Sequence, residues 1–148
     1  MKSLFALSLL CAALTTLASP LYAGDSGAQA RPVYTMHPVG WVRKEADRTW
    51  IEIEKEYQPA LLGVENLAWI RVLYWFDRND TPEQRSVLQV HPFGDPANPL
   101  RGVFATRAPL RPNLIALSRC RVLSVKENII EIDGIDAFAD TPVLDIKP

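Results

Sequence analysis

The chain has 148 residues, with 16 Lys and Arg against 17 Asp and Glu, for a net charge of −1. That length allows one hydrophobic core, and the balance lacks the clustered positive excess of a nucleic-acid footprint. Two cysteines and two histidines, with no CxxC or HxxxH spacing, argue against a metal centre, and the chain has no GxSxG, GxGxxG or P-loop.

Residues 1–23 carry Lys2, an uncharged apolar run from Leu4 to Leu17, and Leu21-Tyr22-Ala23 before Gly24. This is the pattern of a secretory signal peptide cleaved after Ala23, with an uncleaved anchor as the alternative. The run falls short of the roughly 20 apolar residues of a membrane span. Export predicts a periplasmic or secreted protein that is not membrane-bound after cleavage. Its charge would be 15 − 17 = −2 once Lys2 is gone. Cys11 would leave too, so Cys120 stands alone and reads as a buried strand thiol.

Residues 24–32 are small and polar and read as a flexible lead-in to a domain over 33–148. Val39 to Arg43 and Thr49 to Glu54 predict two strands around a charged turn. The second alternates Ile51 and Ile53 with Glu52 and Glu54, as in a sheet with one wet face. Glu56 to Leu62 predicts a short helix or turn, limited by Pro59 and stopped at Gly63.

Ala68 to Phe76 (AWIRVLYWF) predicts a central strand whose aromatics belong to the core. Asp77 to Glu83 reads as a polar turn, Ser86 to His91 as a strand and Pro92 to Pro99 as a loop. Arg119 to Val125 and Ile129 to Ile132 read as strands around a turn at Lys126 to Asn128. About seven short strands with little helix predict an all-β domain. The economical form is a small closed or partly closed β-barrel with at most one or two short helices.

Between these elements lies Arg101 to Ser118 (RGVFATRAPLRPNLIALS). A strand-like run at Gly102 to Ala105 breaks into a corner where Pro109 and Pro112 each fix φ near −65°. Asn113 can close the turn by bonding backbone. A stiff loop with Arg107 and Arg111 suits an anionic or planar polar ligand; the alternative is a structural corner whose arginines pair with acids.

GVFATRAPLRPNLIALS, followed by DGIDAFADTPVLDIKP, resembles the TsaA-like family, best known for TrmO-type tRNA methyltransferases. VGWVRK and LLGVENLAWIRVLYWF are similar to that family's opening and aromatic strands. The resemblance implies a small β-barrel, often dimeric, that binds S-adenosylmethionine and methylates a threonylcarbamoyl-modified adenosine in tRNA. It implies cofactor contacts at Arg107, Leu117 and Thr141, and substrate or pocket-shaping roles for Arg111, Asn113 and Lys147. It assigns no catalytic residue and no metal.

The chain departs from the family pattern at several points. Ala68-Trp69 stands for a Ser-His pair, Asp77 for a histidine and Ala139-Asp140 for Asp-Gly, with no P-R-Q motif near the N-terminus. Two functions therefore stay open. One is a methyltransferase. The other is an exported, catalytically inactive barrel that binds a small ligand or a protein, for which tRNA would be out of reach.

Overall fold

The computed structural model describes residues 32–148. The expected signal peptide and most of the lead-in lie outside the described residues. Six antiparallel strands close into a barrel: β1 (Gly40–Glu45), β2 (Arg48–Ile53), β3 (Trp69–Trp75), β6 (Ile115–Lys126), β7 (Ile129–Ile132) and β8 (Pro142–Lys147). Around the barrel the order is β1-β2-β7-β6-β3-β8, with β8 pairing back onto β1. β4 (Gln89–Val90) and β5 (Arg101–Gly102) form a separate two-stranded ribbon. The all-β barrel expected from the alternating runs is the fold.

Period-two alternation builds the interior. Val42, Ile51, Ile70, Val72, Ile130, Ile132 and Val143 point inward with essentially no exposure. Burying a side chain of this size contributes about 1.5–3 kcal/mol. Cys120 is buried among them, and burial pushes its thiol up to about 11. Gly40 is required by packing, since a Cβ there would stand 2.4 Å from the Glu52 carbonyl.

Four expectations change. Ser86 to His91 holds only the short β4, which joins the ribbon rather than the barrel. Gly102 to Ala105 is not a strand, because after Gly102 the chain tightens into a 3-10 turn that buries Val103. The polar turn after β3 contains a one-turn helix, α1 (Pro82–Arg85), capped by Thr81, whose Oγ1 accepts from the Gln84 amide. Of the β3 aromatics only Tyr74 is core; Trp69 is 41% exposed on the outer face, with the Arg119 guanidinium 4.2 Å from its ring centre.

Among the described residues no helix is long and apolar enough to cross a membrane.

Candidate functional site

The 106–114 corner is held from both sides. The Arg111 guanidinium donates to the carbonyls of Val103 (2.8 Å), Thr106 (3.2 Å) and Ile115 (3.5 Å). Arg85 donates to the Pro112 carbonyl (3.0 Å) while its Nε pairs with Asp80 (2.7 Å). Thr106 Oγ1 donates to the Val103 carbonyl and accepts from the Ala108 amide. Val103 and Leu114 anchor the two ends in the interior. The corner is stiff because one cation gathers three of its backbone carbonyls.

This corner, the end of β3 and the β7–β8 connection surround a cleft of about 380 Å³. Tyr74 forms its floor; the hydroxyl donates to the Asp136 carbonyl and lies 3.2 Å from Ser118 Oγ. Burial pushes this hydroxyl above the usual tyrosine range, against the opposing pull of the Ser118 bond and the Arg107 charge. Phe76 meets Tyr74 edge to face, ring centres 5.7 Å apart. Phe138, 62% exposed, also lines the cleft, with the Arg78 guanidinium 4.0 Å from its ring centre. Lys44 Nζ ties the β7–β8 connection to β1 through the Ile135 carbonyl (3.0 Å).

Arg107 and Thr141 both line this cleft. Thr141 is buried, and its carbonyl accepts from the Val42 amide. Arg107 is exposed and, among the described residues, has no carboxylate partner. The other expected residues stand elsewhere. Arg111 is committed to the corner's own backbone. Leu117 faces outward between inward Ala116 and half-buried Ser118. Asn113 is exposed, its carbonyl accepting from the Ile115 amide. Lys147, on the outer face of β8, pairs with Asp145 at 2.6 Å.

Asp140, which replaces a glycine of the family pattern, adopts the left-handed conformation that the glycine would favour (φ 65°). Its amide donates to the Val42 carbonyl, and its carboxylate turns to Arg43 rather than into the cleft. Sequence reasoning missed Lys44, Tyr74, Phe76, Asp136 and Phe138 as cleft residues. The available signal was an aromatic strand running straight into a polar turn, which places rings at a barrel end rather than inside it.

A second cleft, about 1060 Å³, lies between the corner and the β4–β5 ribbon. It shares Arg107, Pro109 and Asp136 with the first.

Residues 37–148 match the family described as the tRNA-methyltransferase O N-terminal domain. The chain is 48% identical over 110 residues to a probable S-adenosyl-L-methionine-binding protein of Pyrococcus horikoshii, covering 74% of this chain and 78% of that one. A protein of the same description from Methanocaldococcus jannaschii is 44% identical over 115 residues, covering 78% and 91%. Among solved structures, TrmO from P. aeruginosa matches with a TM-score of 0.60 at 28% identity, covering 79% of this chain. The chain spans 55% of the length of that TrmO chain.

Proposed function

The chain belongs to the family of tRNA-methyltransferase O N-terminal domains, and from that premise we propose that the first cleft binds S-adenosylmethionine for methyl transfer to a modified nucleoside. The observation that carries this reading is Arg107, an exposed guanidinium without a carboxylate partner on the wall of a cleft floored by aromatic rings. The donor set fits the cofactor's chemistry. A guanidinium takes an amino-acid carboxylate by paired hydrogen bonds, and apolar ring faces take an adenine. When bound, S-adenosylmethionine supplies an activated methyl group.

The chain's own contribution is alignment. Arg107 would fix one end of the ligand, while Tyr74 and Phe76 shape the floor. The backbone from Asp136 to Thr141 closes the side. Methyl transfer asks mainly for such positioning, so few ionisable groups are needed. The acceptor is a threonylcarbamoyl-modified adenosine in tRNA if this chain shares its family's substrate.

A second reading is a barrel that binds its ligand without transfer, working outside the cytoplasm. The signal-peptide pattern of residues 1–23 and Asp77 in place of the family histidine favour it. A homodimer is proposed for either reading. Calorimetry with S-adenosylmethionine tests cofactor binding. Incubation of the saturated protein with modified and unmodified tRNA, following methyl incorporation, separates transfer from binding alone.

A further inference from the structure

We propose that the outer wall of the barrel, where β6, β3 and β8 run side by side, docks onto an anionic lipid bilayer. The contact is peripheral and does not depend on what fills the first cleft. It replaces the expectation that cleavage after Ala23 leaves no membrane association. Three observations carry it.

The first is register. On β3, Trp69 stands opposite Arg121 of β6, and Arg71 stands between Arg119 of β6 and Lys147 of β8. One step further, Leu73 stands between Leu117 and Asp145. These positions alternate with the buried ones of β3 and β6, so they share the outer face.

The second is charge. The row Arg119, Arg71, Lys147 sets three cations on neighbouring strands, and like charges directly opposite one another destabilise a sheet. With Arg121, four cations meet the one carboxylate of Asp145 at these register positions, in a chain whose net charge is −1. Asp145 pairs with Lys147 at 2.6 Å, and Arg71 donates to the Pro148 main-chain oxygen. Arg119 and Arg121 have no carboxylate partner among the described residues. Arg119 lies over the Trp69 ring instead. Such a row calls for a surface of anions, which phosphate headgroups supply.

The third is the apolar content. Trp69, Leu117 and, further along β6, Leu123 are exposed. An indole and leucines among arginines match a bilayer interface, where rings lie at the headgroup level and guanidiniums reach up to the phosphates. A nucleic-acid backbone would meet the cations and leave the leucines in water. A second copy on this wall would set the arginine row against its own image across a twofold axis. A protein partner would seat its anchors in pockets, and neither cleft reaches this wall.

The test is co-sedimentation of the full chain with two kinds of vesicle, phosphatidylcholine alone and phosphatidylcholine mixed with phosphatidylglycerol, at low and raised salt. The proposal expects capture by the anionic vesicles, lost as salt screens the arginines. Arg119→Gln and Arg121→Gln should each weaken capture about fivefold. Trp69→Ala should also weaken it, while Arg101→Gln on the ribbon should leave it unchanged. Arg121 has no ion pair to lose, so its variant reports on the surface with the fold intact.

No capture by the anionic vesicles overturns the proposal. Equal capture by both kinds, insensitive to salt and to Arg121→Gln, also overturns it and assigns the binding to the apolar run at Leu4 to Leu17. Binding of a single-stranded RNA homopolymer that the same variants weaken, with the vesicles ignored, overturns it in favour of a polynucleotide surface. A dimer that Trp69→Ala dissociates, again with the vesicles ignored, overturns it in favour of a second copy of the chain.

Discussion

Asp140 and Arg43 form an ion pair across the junction of β1 and the β7–β8 connection, and Glu52 holds the same guanidinium from the other side at 2.8 Å. The pair turns the Asp140 carboxylate away from the cleft while its backbone keeps a left-handed turn. The Asp140 side chain is 72% exposed, so the pair contributes about 0–1 kcal/mol. Glycine would relieve a left-handed cost of about 1 kcal/mol. Asp140→Gly is therefore expected to leave stability within about 1 kcal/mol of the parent. Asp140→Ala, which keeps the strain and loses the pair, should cost about 0–1 kcal/mol and be less stable than the glycine variant by about 1 kcal/mol. Urea denaturation of both variants checks the order; an alanine variant as stable as the glycine variant would contradict it.

Arg111 and Arg107 sit four residues apart on one corner, Arg111 bonded to its backbone and Arg107 exposed. Arg111→Ala leaves the carbonyls of Val103, Thr106 and Ile115 without their shared donor. It should cost about 2–3 kcal/mol. A loss below about 0.5 kcal/mol would mean that the prolines alone hold the turn.

Arg107→Ala removes an exposed cation with no carboxylate partner among the described residues. Stability should change by no more than about 0.5 kcal/mol. Affinity for S-adenosylmethionine should fall about ten- to a hundredfold. A large drop in melting temperature instead would make Arg107 part of the corner's structure.

Cys120 gives a pH-dependent prediction. Its folded thiol, pushed up to about 11 by burial and by the Asp133 charge, lies above the unfolded value of 9.0. The unfolded chain then loses this proton first. The contribution is complete below pH 9 and is lost as pH rises from 9 to about 11, by up to about 3 kcal/mol. Tyr74 adds a loss of the same sign at higher pH, since burial also raises its value. Comparing parent and Cys120→Ala between pH 8 and 10.5 isolates the thiol. Equal slopes would show that Cys120 does not titrate on unfolding. In the folded protein the thiol should also resist alkylation at neutral pH.

Much of the barrel was legible because its strands alternate. Ile51 and Ile53, Val72 and Tyr74, and Ile130 and Ile132 each mark an inner face at period two. The ribbon was not, since Ser86 to His91 alternates like a barrel strand while its partner is only Arg101–Gly102. Local pattern cannot say which sheet a strand joins. Arg107 and Thr141 were recoverable from the motifs they occupy. Phe138 and Asp136 lie in a loop without periodicity, and the strand pattern that reads Tyr74 and Phe76 as core does not show that they also line a cleft where the strand ends. The second cleft draws on residues 87, 89–94, 101, 105–110 and 136, which no short stretch of sequence brings together. Asp140 shows the limit from the other side. As a letter it reads as a lost glycine, and only its φ and its bond to Arg43 show that the turn survives.

The most direct test of cofactor binding in the first cleft is calorimetric titration of S-adenosylmethionine into the purified protein. One site per chain is expected, with a dissociation constant near micromolar, about −8 kcal/mol. No heat up to millimolar ligand would contradict it and leave the cleft to a different ligand.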